Sequence, residues 1–487
     1  MGISLPKGAY TGRSSNINAQ QLQNWYANID EQEGKEQVSL YGTPGLTAQV
    51  TIEADKEVRG AYVIATDTDV LYAVCDDDLY TVSSAYAAVD IGTLDTSTGP
   101  ISIADDGDYL MITDGTSGYT YQSSTSTFAK ITDVDFIGAQ SCTFQDGFFL
   151  TCTGQTVQKS ALNDPTSWDA TEIKLASIQS DDLQAITSHN ANIWCFGTDS
   201  IEVWYNAGNA DFPWVNVPNA EIDMGIVSSD AFTKAQNMLF FLNNDREFCM
   251  AEGYKPKILS TTHIHDQFSK LTSVSDCRMF SFILEGNVFI RIQFPTDDKT
   301  FDYNATTGFW NAATSYKTSA VGVTTLNNRH RSNCYPQTNN GIPALFQGNH
   351  VVGDYSNGKI YTMSQTVFMD DSQTIRRVCD FPYVHDKQRR RNLVHSSFEV
   401  EFESGVGLAT GQGSDPVCML SWSDDGGHNF GSEIWASIGA IGEYGIRSTF
   451  RKLGRSDNRI YRVVLTDPVK PVIVAAYSDT RLTKKAA

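Results

Sequence analysis

The residues with the most chemical potential lie in five short clusters. The run Ser423-Asp424-Asp425-Gly426-Gly427-His428-Asn429-Phe430 follows the pattern Ser-x-Asp-x-Gly-x-x-aromatic. An aspartate so placed accepts bonds from the backbone amides of its own turn, which is a hairpin device without catalytic work. Two acidic turns, Cys75–Asp78 and Ala104–Asp108, carry enough oxygen for calcium but lack the loop spacing of an EF-hand. Solvated acidic hairpin turns are commoner. His263, His265 and Asp266 bring two imidazoles and a carboxylate together without a third ligand at metalloprotease spacing, so a surface turn is the plainer reading. The basic run Lys387–Asn392 either touches DNA or an acidic surface, or is a solvated linker. No Gly-x-Ser-x-Gly elbow, phosphate loop or dinucleotide fingerprint occurs. The expectation is no catalytic, cofactor-binding or metal-ligating residues.

The bulk properties narrow the class. At 487 residues the chain exceeds one ordinary core, so two domains or a large repeat array are expected. No apolar run reaches the roughly 20 residues that cross a bilayer, and the first residues lack an apolar signal core. Synthesis and folding in a cytosol are therefore expected. Nine dispersed cysteines without a Cys-x-x-Cys pair read as small buried hydrophobes, with neither disulfides nor zinc. Net charge is −21, divided as −22 over 1–379 and +1 over 380–487. A protein that grips phosphates is usually built the other way round.

The elements that would position any site are β-hairpins. In Ile193–Tyr205, two apolar runs flank the turn Gly197-Thr198-Asp199-Ser200. Trp194 and Phe196 fall on one face, Ile193 and Cys195 on the other. A hairpin apolar on both faces belongs between two layers, as between propeller blades. Similar hairpins have turns near 77, 115, 154, 199, 244, 286 and 356. The early spacing is that of propeller blades, about 40–45 residues. Seven blades is the resulting count, with six or eight left open. The final step is long, and 327–343 reads as an insertion within one blade. Val38–Leu46 is the expected N-terminal strand that closes the last blade. Glu202, a carboxylate among apolar neighbours, is expected at a blade edge or subunit contact with a hydrogen-bond partner.

The overall expectation is an all-β chain. Residues 1–37 form an extended N-terminal arm, with Asn18–Tyr26 a weak helical candidate; 38–379 form the β-propeller; and 380–487 form a β-sandwich. In the last domain Val394–Phe402 alternates, with Phe398, Val400 and Phe402 inward and Glu399 and Glu401 outward. Further strands are expected at Val417–Ser423, Arg447–Leu453, Ile460–Thr466 and Val472–Tyr477, before a basic tail from Arg481 to Lys485.

Several stretches together resemble the packaged-DNA stabilisation proteins, the tail-hub proteins of short-tailed (podovirus) bacteriophages. They are Asn24-Trp-Tyr-Ala-Asn28 with Leu40-Tyr-Gly-Thr-Pro-Gly-Leu46, then Cys195-Phe-Gly-Thr-Asp-Ser-Ile-Glu202. The third is Leu420-Ser-Trp-Ser-Asp-Asp-Gly-Gly-His-Asn-Phe-Gly431 with Arg451-Lys-Leu-Gly-Arg455. The resemblance implies a structural virion protein, a hexameric ring below the portal and adaptor. Such a ring closes the DNA channel, retains packaged DNA and carries the tail needle or nozzle and the tail spikes or fibres. It implies no catalytic residues and no sequence-specific DNA binding.

The alternative is a glycan-binding or sialidase-like propeller of a tail fibre, since the Ser423–Phe430 pattern resembles the Asp-box of sialidases. A sialidase needs an arginine triad and a tyrosine nucleophile, and arginines in 60–320 or just before it are few: Arg59, Arg246, Arg278 and Arg291. A cellular propeller scaffold is a third class that composition leaves open.

Overall fold

The computed structural model describes residues 2–11, 18–30, 37–64, 66–176, 179–318, 324–327, 331–332, 345–386 and 392–482. The chain is all-β apart from one short helix among these residues, Thr262–Ser269. Two compact units divide it, one holding Ala48–Asp297 and His330–Met363, the other Met1–Thr47, Asp298–Arg329 and Ser364–Ala487. This division differs from a single cut at 379/380.

The first unit is the propeller. Five four-stranded antiparallel sheets follow one another, beginning with Val58–Ile64, Ser102–Asp105, Ser141–Gln145, Leu183–His189 and Phe232–Ala235. Each is a meander in which hairpin turns use residues that tolerate positive φ, such as Asp76, Asp146 and Gly154. A sixth is built on Asn349–Asp354 and Lys359–Ser364, with Gly45–Thr51 beside the latter. There Gln49 Nε2 donates to Thr362 Oγ1 at 2.8 Å, and the Ile52 amide donates to the Gly358 carbonyl at 2.8 Å. Among the described residues the propeller therefore has six blades rather than seven. The hairpin near 286, Arg278–Leu284 with Asn287–Phe294, gives this unit two strands. The next two strands in the chain, Lys299–Asn304 and Phe309–Ala312, lie in the other unit.

The closing strand is also displaced. Val38–Gly42 pairs with Trp25–Ile29 and with Val472–Leu482, and the strand after the Pro44 break, Gly45–Thr51, takes the blade position. Pro44 has no amide to donate, so one continuous strand over 38–46 is disfavoured.

The second unit is a sandwich of two sheets. One runs Trp25–Ile29, Val38–Gly42, Val472–Leu482, Leu393–Phe402, Ser448–Arg451. The other includes Phe309–Ala312, Ala19–Gln23, Arg377–Asp380, Asn458–Leu465, Val417–Ser423 and Ile434–Ser437. Between them lies one apolar core that includes Leu22, Trp25, Leu40, Phe381, Phe398, Val400, Leu420, Tyr461 and Ile473. Phe398, Val400 and Phe402 are buried while Glu399 and Glu401 are half-exposed, as the alternation requires.

The first residues are not an extended arm, and 18–26 is not helical. Ala19–Gln23 lies in one sheet and Trp25–Ile29 in the other, with Leu22 and Trp25 fully buried. The chain changes sheet at Asn24, whose φ of 57° is left-handed. Its side chain fixes the corner: Nδ2 donates to the carbonyls of Thr314 and Arg376, and Oδ1 accepts from the Thr314 amide. Asparagine tolerates this conformation and supplies both kinds of polar atom. Most of the expected insertion 327–343 and basic run 387–392, and the end of the C-terminal tail, lie outside the described residues.

Candidate functional site

The Ile193–Tyr205 hairpin forms as Asn192–Gly197 paired with Ile201–Asn206. One face packs Trp194, Phe196, Ile201 and Val203 against Leu239, Phe241 and Cys249 of the following blade. The opposite face sets Ile193, Cys195 and Trp204 against Leu150, Cys152 and Val157 of the preceding blade. Glu202 is 2% exposed between blades. Its Oε2 accepts from Trp204 Nε1 at 2.8 Å and from Asn216 Nδ2 at 3.0 Å. Lys174 Nζ donates to Asn216 Oδ1 at 2.7 Å and stands 4.3 Å from the Trp204 ring centroid. A buried carboxylate so partnered is a structural acceptor.

The acidic turns spend their oxygens locally. Asp76 pairs with Lys56, and Asp105 accepts from the Tyr62 hydroxyl. Asp106 Oδ1 accepts the amides of Asp108 and Tyr109 at 2.9 and 2.7 Å. Asp108 takes Gln122 Nε2, Ser123 Oγ and the Ser124 amide, and these bonds lower its carboxyl to about 2. His263, His265 and Asp266 lie on the helix Thr262–Ser269 instead of a turn. Thr261 caps the helix by accepting from the Ile264 amide. Burial lowers the His263 imidazole despite the Asp266 charge, and Asp266 pairs with Lys270 at 2.6 Å. Among the described residues no group of three or more His, Cys, Asp and Glu is arranged to hold a metal.

The four arginines are dispersed over separate partners. Arg59, 1% exposed, donates to the carbonyls of Gly99, Asp76, Thr96 and Thr98 and so pins the loop 96–99. Arg246 caps the helix end through the carbonyls of Phe268, Ser269 and Leu271. Arg278 pairs with Glu57 at 2.6 Å, and Arg291 lies over Phe282 at 5.2 Å. They do not form a triad around one anion.

The Ser423–Phe430 motif is a turn with two further attachments. Asp425 Oδ1 accepts from Ser423 Oγ at 2.6 Å and from the Asn429 amide at 3.0 Å; these bonds hold its carboxyl far below the usual range. Asp424 grips Arg459 bidentately, 2.7 Å at both oxygens. Phe430 lies 3.6 Å beneath the Arg462 guanidinium, which holds Asp380 at 2.6 and 2.7 Å. The motif thus fastens its hairpin to the strand Asn458–Leu465.

Three arrangements escaped the sequence reading. First, side chains stitch the first strands of successive propeller sheets and, through Ser281 and Ile283, the hairpin that starts at Arg278–Leu284. Cys142 N donates to Ser102 Oγ at 3.1 Å, and Ile186 N to Ser141 Oγ at 3.3 Å. Ser188 N donates to Thr143 Oγ1 at 3.0 Å, Lys234 Nζ to the Ser188 carbonyl at 2.7 Å, and Ser281 Oγ to the Lys234 carbonyl at 2.6 Å. The Ile283 amide then meets His350 Nε2 at 3.1 Å. Partners are 40, 45, 45, 46, 47 and 67 residues apart, the same rhythm as the turns. Second, buried His395 lies between Ser456 Oγ, 2.9 Å from Nε2, and the Tyr461 hydroxyl, 2.8 Å from Nδ1. Serine and histidine here are 6% and 1% exposed, closed to any substrate. Third, Arg377 is fully buried. None of these was readable, because each depends on residues remote in sequence.

The model of the bacteriophage P22 Gp10 β-propeller family matches residues 1–368, and that of the P22 Gp10 β-sandwich family matches 376–480. No curated protein sequence matches the chain. Among solved structures, PorZ, a bacterial surface component of the type-IX secretion system of Porphyromonas gingivalis, is 12% identical at a TM-score of 0.33. The similarity covers 59% of this chain and 40% of PorZ, so the chain spans less than half of that relative. The computationally designed Ika8 protein is 10% identical (TM-score 0.39, 65% of this chain, 99% of that one). A chain of the mitotic checkpoint complex is 9% identical (TM-score 0.40, 69% and 95%). Both domains being matched, in order and over nearly the whole length, the chain belongs to the P22 Gp10 family of tail-hub and DNA-stabilisation proteins of short-tailed phages.

Proposed function

We propose that the protein is a tail hub that joins the portal and adaptor assembly to the tail needle or nozzle and the spikes or fibres. It forms a homo-oligomeric ring, hexameric in our reading, which closes the DNA channel and retains the packaged genome until ejection. It assembles in the host cytoplasm and acts in the virion without enzymatic activity. The observation that carries the reading is the ordered double family match over 1–368 and 376–480. The site geometry supports it. The acidic turn at 104–108 and the Ser423–Phe430 motif, which first suggested chemistry, spend their carboxylates on holding turns and strands together, as suits a load-bearing part. Sedimentation of the purified protein, alone and with a portal–adaptor complex, tests the proposal. A ring-sized species in either sample supports it. A monodisperse monomer that ignores the complex and cleaves or retains host polysaccharide contradicts it.

A further inference from the structure

The sandwich contains a set of buried hydrogen-bond donors that make no hydrogen bond. Arg377 begins the central strand Arg377–Asp380 and is 0% exposed, yet Nε, Nη1 and Nη2 all lack a hydrogen-bond partner. Trp25 is equally buried and its Nε1 is also unpartnered. Both flank Gly42. Trp25 stands directly opposite Gly42 across the antiparallel pair, and residues so paired project to the same face. A Cβ placed on Gly42 would point to that face and meet Pro471 Cγ at 2.2 Å and Arg377 Nε at 2.6 Å. The guanidinium and the Pro471 ring therefore share the room left by the missing side chain, on the indole's side of the hairpin. The nearest acid along its strand, Asp380, has both oxygens on Arg462. Burial pushes the Arg377 guanidinium down to about 9, with no carboxylate charge opposing it.

An isolated buried cation is strongly unfavourable, and native proteins satisfy nearly all their buried donors. Five guanidinium N–H groups and an indole N–H, none of them hydrogen-bonded, make the donor set of an anion site. Closure from solvent restricts the occupant to something small that is trapped as the sandwich folds. We propose that Arg377, with Trp25 beside it, holds a buried monovalent anion of halide size that completes the sandwich core.

The test is thermal unfolding of the full-length protein in chloride, bromide and gluconate at equal ionic strength. The sandwich transition is expected to rise by roughly 3–5 °C per tenfold halide above the dissociation constant, and to stay level in gluconate. Arg377→Met should abolish the halide response and be no less stable than wild type in gluconate. Crystals grown in bromide should show an anomalous peak within hydrogen-bond distance of Arg377. If Arg377→Met does not fold, the wild-type halide series and the bromide peak decide. Equal melting in halide and gluconate, with no bromide peak, would overturn the site.

Discussion

Arg462 holds Asp380 through two parallel bonds of 2.6 and 2.7 Å while its guanidinium rests on the Phe430 ring. Asp380 is 3% exposed. Burial raises its carboxyl and the arginine draws it back, with burial the larger effect. The pair joins two adjacent strands of the sandwich, and the aromatic of the Ser423–Phe430 turn serves as its floor. Removing the arginine leaves the carboxylate buried and unpaired, a cost of about 3–5 kcal/mol. Arg462→Ala should therefore lower stability to urea by about that amount, and Asp380→Ala by less, because Arg462 is itself 23% exposed. Arg462→Lys, which keeps the charge and loses the fork, should cost less. A double-mutant cycle giving no coupling would contradict this role.

Glu202 gives a second expectation in the propeller. Glu202→Ala strands the Trp204 indole N–H and Asn216, and should cost about 2–3 kcal/mol. Glu202→Gln keeps an acceptor and should cost under about 1 kcal/mol. Trp204 fluorescence during urea unfolding reads both, and equal losses would show that the hydrogen bonds are unimportant.

Stability should depend on pH at both ends. Burial pushes His189 and His395 from 6.5 to about 4. Below pH 6.5 the unfolded chain takes up protons that the folded one refuses, so stability is full above 6.5 and falls as pH drops towards 4. Burial also lowers Lys234 from 10.5 to about 8. Between those values the unfolded chain binds more protons, so stability contributed there rises with pH. Urea midpoints across pH 4–10 check the signs. His395→Asn should flatten the acid limb of the sandwich, and Lys234→Met the alkaline limb of the propeller.

Much of the fold is legible because hairpin turns and alternation are local. Ile193–Tyr205 reads as apolar on both faces, and its two faces pack on different blades. Val417–Ser423 is a strand with the expected bounds. Blade number and closure are not local. Nothing within residues 278–294 reveals that their continuation joins another unit, and only the Pro44 break hints that Gly45–Thr51, not Val38–Gly42, closes the last blade. The arm became two core strands because Asn24 turns a polar stretch between sheets, a role visible only with Thr314 and Arg376 in place. The Ser423–Phe430 turn was legible as a hairpin device, while its hold on Arg459 and Arg462 depends on a strand some 30 residues later.

The tail-hub role is tested most directly by cryo-EM of this protein assembled on a portal–adaptor complex. A closed ring of copies below the adaptor, spanning the DNA channel, is the expected result. A protein that leaves the adaptor bare, or that decorates the tail only as peripheral single copies, would contradict it.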